Sequence, residues 1–190
     1  MTREYVYLLG LYLGDGNLSY SGRSYQLRIT LDSRYPAIIA AAESAVREIV
    51  PHGRVHVRPR SGAQIVEAGW KDWPRLLPQH GRGPKHTRAI VLAAWQSALV
   101  DAHPDDFLRG LVHSDGCRVI NRFTVELVSG RREYAYPRYF FTNKSSHIRG
   151  LFCEYCEQLG VHWTRSNHRT ISVADRRSVQ QLDSFIGAKS

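Results

Sequence analysis

A nine-residue segment occurs twice in this chain. Leu8-Leu9-Gly10-Leu11-Tyr12-Leu13-Gly14-Asp15-Gly16 returns 100 residues later as Leu108-Arg109-Gly110-Leu111-Val112-His113-Ser114-Asp115-Gly116, with five of the nine positions identical. Average composition would produce Leu-x-Gly-Leu-x-x-x-Asp-Gly only about once in a few hundred thousand start points. Two occurrences therefore mark an internal duplication, and a duplicated chain folds as two related units.

The segments after the two copies correspond. After the first, the hydrophobic pattern predicts a hairpin over Asn17 to Leu31 turning at Ser21-Gly22, a helix over Tyr35 to Val50, strands at Arg54 to Arg58 and Gln64 to Ala68, and a helix near Trp73. After the second, it predicts strands at Arg122 to Val128 and Tyr134 to Asn143 and a helix over Ser146 to Leu159. Strands at His162 to Arg165 and Thr170 to Ala174 and a helix over Arg177 to Ile186 complete that half. The expected class is α/β, of the α+β kind, with two α-β-β-α-β-β-α halves. Residues 1–80 form the first half, 81–103 a linker with a connecting helix over Arg88 to Val100, and 104–190 the second half.

Gly10 and Gly14 lie four apart, as do Gly110 and Ser114, so each motif helix carries a smooth strip along one side. A glycine inside a helix costs about 1 kcal/mol against alanine, a cost that close backbone approach would justify. The two motif helices are thus expected to pack as a central seam. Asp15 and Asp115 end these helices, each followed by glycine, the residue that most easily takes the left-handed conformation expected at a helix stop. An acid there meets the negative end of the helix dipole, and the pseudo-two-fold brings a second acid nearby. A divalent cation between them would reverse both penalties. An Asp-Gly pair most commonly just caps a turn; two copies joined by a glycine strip favour the metal site.

The partner is indicated by charge. The formal charge is +9, and 22 of the 26 basic residues are arginine, whose planar fork suits phosphate and guanine edges. Three cysteines, an odd number, argue against a disulfide framework and for a reducing, cytoplasmic compartment. The apolar stretch Tyr5 to Leu13 is too short for a membrane span and lacks a cleavage site.

The paired motif resembles that of the LAGLIDADG homing endonucleases, over nearly the whole chain. The resemblance implies two saddle-shaped antiparallel sheets straddling the major groove of double-stranded DNA, and Mg²⁺ or Mn²⁺ held by Asp15 and Asp115, with Gly14 and Ser114 beside them, for phosphodiester hydrolysis. It also implies further pocket residues: Asn143, with Leu31 as its counterpart in the first half, and the basic residues Lys71 and Arg177. One chain supplies both motifs, so a monomer is expected. Some relatives of this fold have lost cleavage, so a non-cleaving transcriptional regulator is the alternative, with an RNA-processing factor as a third reading. The span from Asp15 to Ser33 is 18 residues against 30 from Asp115 to Ser145, so the first hairpin is clipped and the DNA contact asymmetric.

Strand alternation selects the DNA face. Leu27, Ile29 and Leu31 turn inward, leaving Gln26, Arg28 and Thr30 outward; Arg54, His56 and Arg58 alternate with Val55 and Val57. In the second half Arg138, Phe140 and Thr142 face outward, and Arg122 and Thr124 are expected to do so opposite Phe123 and Val125. Phe140 on such a face suggests a thymine-methyl contact. The Cys153-x-x-Cys156 pair has no second pair and reads as packed thiols, His113 carries no assigned role, and Trp70, Trp73, Trp95 and Trp163 read as core or interhelical packing.

Overall fold

The computed structural model describes residues 2–50, 52–127 and 130–187. The first half runs α1 (Thr2–Asp15), β1 (Gly16–Tyr20), β2 (Tyr25–Asp32), α2 (Pro36–Ile49), β3 (Val55–Arg60), β4 (Ala63–Trp70) and α3 (Trp73–Leu76). A connecting helix α4 (Ala94–Ala102) leads to α5 (Pro104–Asp115), β5 (Gly116–Leu127), β6 (Gly130–Thr142), α6 (Ser146–Gln158), β7 (Thr164–Arg165), β8 (Thr170–Val173) and α7 (Arg176–Ile186). Both halves show the expected element order. Two four-stranded antiparallel sheets result, ordered β1-β2-β4-β3 and β5-β6-β8-β7.

The boundaries shift where pattern was weakest. The connecting helix begins at Ala94, six residues after the expected Arg88, because Pro84 and a short 3₁₀ turn at Lys85–Thr87 leave the chain extended through Arg88. The hairpin β5–β6 starts at Gly116 and is longer than its alternation suggested; the expected strand end at Val128 lies outside the described residues. Its strands have 12 and 13 residues against 5 and 8 for β1 and β2, so the first hairpin is indeed the short one.

The seam of α1 and α5 is the core of the molecule. Every residue of α1 from Tyr5 to Leu13 is buried, as are Phe107, Leu108, Leu111 and Val112 of α5. A Cβ on Gly10 would stand 2.5 Å from the Phe107 carbonyl oxygen and 2.9 Å from Gly110 Cα, so the backbones cross in direct contact. Polar groups lock the register. Arg3 donates to Asp106 at 2.6 Å and Asp105 at 2.8 Å. Tyr7 Oη lies 2.9 Å from His113 Nδ1, and His113 Nε2 lies 3.0 Å from the Ile186 carbonyl. A carbonyl only accepts, so Nε2 carries the proton and Nδ1 accepts from Tyr7. His113, which had no role on sequence grounds, thus joins the seam to α7.

The linker is fastened. Buried Gln96 of α4 donates to Tyr5 Oη at 2.7 Å, and Gln79 donates to Gln96 Oε1 at 2.5 Å. Trp73 is fully buried in the core, whereas Trp95 is 43% exposed and packs between helices, its ring 5.5 Å from that of Tyr5 on α1. Among the described residues no helix is long and apolar enough to cross a membrane.

The crossing predicts opposite signs for two glycines. Gly110→Ala drives a methyl into the Tyr7 carbonyl and Gly10 and is expected to lower stability in urea unfolding by about 3 kcal/mol. Gly150→Ala, in α6 with open space around it, is expected to raise it by up to about 1 kcal/mol.

Candidate metal centre and nucleic-acid interface

The seam ends at the two acids, and the glycines after them are not left-handed as expected: Gly116, at φ −105° and ψ 164°, passes straight into β5. A Cβ on Gly14 would stand 2.8 Å from Asp115 Oδ2 and would collide with the Ser114 side chain, so glycine in the first copy makes room for serine in the second. Ser114 Oγ turns back to the Leu111 carbonyl at 2.9 Å. Each acid opens into its own cleft.

The Asp115 cleft, about 520 Å³, is lined by Tyr12, Gly14, Lys85, Arg88, Asp115, Thr142, Asn143, Lys144 and Arg169, among others. Asn143 lines this cleft, and its Nδ2 donates to Asp115 Oδ2 at 2.6 Å. Its Oδ1 accepts from the Ser145 amide at 2.7 Å, and Arg149 donates to its carbonyl at 2.5 Å, so turn and helix hold the side chain in place. Ser145 caps α6 by accepting from the Ile148 amide.

The Asp15 cleft, about 220 Å³, is lined by Asp15, Leu31, Asp32, Arg34, Tyr35, Ile38, His113 and Ser114. Leu31 is buried at 3% exposure and faces the core. By strand pairing, Ile29 with Gly16 and Phe141 with Gly116, Leu31 does hold the position of Asn143, and three residues separate strand from helix in both halves. The polar turn group of this half is Asp32, one position after Leu31; its Oδ1 accepts from the amide two residues on, Arg34, at 2.9 Å, as Asn143 accepts from Ser145. Arg34 Nη2 closes on Asp32 Oδ2 at 2.6 Å.

Lys71 and Arg177 line neither cleft. Lys71 is exposed beyond Trp70, which pairs with Tyr25, four residues along β2 from the Ile29–Gly16 pair beside Asp15. Arg177 is exposed in the first turn of α7. The cation at the seam comes from the linker. Lys85 Nζ donates to the Tyr12 and Gly14 carbonyls, the latter at 3.1 Å, and lies 4.8 Å from the Tyr12 ring centroid. Burial pushes its pKa down to about 8 against the pull of Asp115 and Asp15, both within electrostatic reach. Only its place in the Gly81-Arg82-Gly83-Pro84 loop could have flagged it, because its partners are more than 70 residues away.

The two acids, with the Gly14 carbonyl beside Asp115, fit a hard cation, and the cation-attracting character of the spot is visible in the ammonium seated on it. Among the described residues no cluster of three or more His, Cys, Asp or Glu could hold a metal alone. Two carboxylates would leave positions for phosphate oxygens and water, the usual arrangement for Mg²⁺.

Register sorts the faces of the sheets. Arg28 stands opposite Asn17 and Glu67, Gln26 opposite Ser19, Thr30 opposite Ile65, and His56 and Arg58 opposite Glu67 and Ile65, all on the side away from the helices. Glu67 is 7% exposed and grips both arginines, Arg58 at 2.6 Å and Arg28 at 3.3 Å. Arg54 is exposed just ahead of β3. In the second sheet Tyr139 and Phe141 face the helices, with Phe141 stacked on Phe152 at 4.4 Å and Tyr139 donating to Asp183. Arg138, Phe140 and Thr142 therefore face outward, and the Arg138 guanidinium lies 5.7 Å from the Phe140 ring centroid, which gives that ring a cationic partner.

Arg122 and Thr124 need correction. They pair with Ala135 and Glu133 on the side of Tyr139 and Phe141, so they lie on the helix side of the hairpin. Phe123 turns outward instead, 46% exposed and stacked on Tyr134 at 5.4 Å, with Tyr136 beside both at 6.0 Å. This hairpin extends past the helices, so no core draws its phenylalanine inward. Cys153 and Cys156 are free thiols on α6, both raised in pKa by burial, as packed thiols should be.

No family model and no curated protein matches this sequence. Solved structures do match its shape. The LAGLIDADG meganuclease I-AabMI bound to uncleaved DNA aligns with a TM-score of 0.57 at 13% identity, over 95% of this chain and 82% of that one. I-DmoI in complex with DNA and Mn aligns at 0.60 and 15%, over 98% of both chains, and the same protein is known with DNA and Ca. The N-terminal LAGLIDADG domain of DUF199/WhiA aligns at 0.59 and 12%, over 99% of this chain and 83% of that one. With two motif helices crossing at glycine and two four-stranded sheets around them, the chain has the LAGLIDADG fold.

Proposed function

We propose that this chain is a monomeric, metal-dependent endonuclease acting on double-stranded DNA, with Asp15 and Asp115 as the metal-binding acids. The observation that carries the reading is the glycine crossing, which delivers two carboxylates to one end of the seam between two basic sheet faces. A bound Mg²⁺ or Mn²⁺ there would lower the pKa of water and stabilise charge on the phosphate. Asn143 orients Asp115 by its 2.6 Å hydrogen bond, Lys144 and Arg169 in the same cleft offer charge to the phosphate, and Arg28, His56, Arg58 and Arg138 face the groove. The similar structures of I-AabMI and I-DmoI, both with DNA, support the partner.

A non-cleaving DNA-binding regulator is the second reading. It is favoured by the Asp32–Arg34 pair, which places a second carboxylate and its own arginine where the other cleft has an amide.

Incubation with a randomised duplex library in Mg²⁺, followed by sequencing of bound and cut fragments, tests the proposal. Enriched duplexes with both strands cut are expected; enrichment without cutting in Mg²⁺ or Mn²⁺ would establish the regulator. On the selected site, Asp15→Asn and Asp115→Asn should each abolish double-strand cutting while leaving the dissociation constant within about threefold, about 0.7 kcal/mol. Fluorescence anisotropy at fixed salt tests the face. Arg28→Ala, Arg58→Ala and Arg138→Ala should each weaken specific binding by about 1 to 3 kcal/mol, and Arg122→Ala by less; the reverse order would sink the assignment of the sheet face.

A further inference from the structure

Lysine is scarce in this chain, four residues against 22 arginines, yet a lysine is what the linker sends to the seam. Its ammonium is a compact point charge, and here it does what a small cation would do. It takes the Tyr12 and Gly14 carbonyls at the negative end of the α1 dipole, rests against the Tyr12 ring, and feels the attraction of Asp115 first and Asp15 second. Two acids at two helix C-termini would otherwise repel.

We propose that Lys85 is a built-in counter-ion of the Asp15–Asp115 pair that competes with a divalent cation for the end of the seam, so that metal loads when the 81–85 loop withdraws. This rests on the reading of the two acids as metal-binding. The loop is suited to withdrawal: residues 81–84 are exposed, and Gly83 holds a φ of +79° open to few residues but glycine. The body on either side stays fixed, by Gln79 and Gln96 on buried hydrogen bonds. Lys85 itself lines the Asp115 cleft and not the Asp15 cleft, where Asp32 holds Arg34. The two clefts therefore differ in how readily they take metal.

Mn²⁺ titration of the DNA-free protein, with free Mn²⁺ read by electron paramagnetic resonance, tests this without recourse to activity. Lys85→Met keeps the unbranched stem of the side chain, one atom shorter, and removes the charge. It should tighten Mn²⁺ binding by about tenfold or more, as loss of a neighbouring unit positive charge implies, and should gain more in melting temperature on Mn²⁺ addition than wild type. Lys85→Gln should move the same way and serves if the methionine variant folds poorly. Adding Asp115→Asn to Lys85→Met should erase the gain. Binding no tighter than wild type in both single variants, or a gain that survives Asp115→Asn, would overturn the proposal. A wild type that cuts no duplex beside a Lys85→Met variant that gains Mn²⁺ would retire the nuclease reading and leave the counter-ion standing; cutting without any gain would do the reverse.

Discussion

The contact on which everything else depends is backbone against backbone, Gly10 against Gly110. With no Cβ on either residue, α1 and α5 approach until one helix's carbonyls face the other's Cα atoms, a distance side chains of any other residue would forbid. That crossing sets the placement of both acids, of both hairpins that start at Gly16 and Gly116, and of the sheets they lead into. The leucines beside the glycines supply the apolar burial, and Arg3, Tyr7 and His113 fix the register with polar contacts.

Bringing two helix C-termini and two carboxylates together creates a local excess of negative charge. Each half answers it differently. In the second half an amide, Asn143, and a linker lysine face Asp115; in the first, Asp15 shares its cleft with an Asp32–Arg34 pair. The duplication produced symmetric scaffolding with unequal chemistry, and the long β5–β6 hairpin with its outward Phe123, Tyr134 and Tyr136 extends that inequality to the sheet faces.

The repeat made the fold legible from residues alone, since a duplicated motif with small residues four apart leaves few packings open. Asn143 was placed through the family resemblance alone, at the junction of β6 and α6. Lys85 was not legible, because nothing local ties it to Gly14; only tertiary folding joins them. Lys71 and Arg177 were placed by resemblance, ahead of the leucines of each half's last helix; Lys71 follows the Trp70 end of β4, away from the acids, and Arg177 is exposed in the first turn of α7. The parity of Arg122 failed for a physical reason: the rule that phenylalanine turns inward presumes a core, and that hairpin runs out beyond the helices.

If the glycine seam builds a cation site from Asp15 and Asp115, anomalous diffraction from crystals of the chain with bound duplex and Mn²⁺ tests it most directly. A peak is predicted at the end of the seam within coordination distance, about 2.0 to 2.6 Å, of a carboxylate oxygen of one or both acids, with the Lys85 ammonium withdrawn from the Gly14 carbonyl. A duplex seated on the sheets with no Mn²⁺ peak at either acid, and Lys85 still in place, would contradict it.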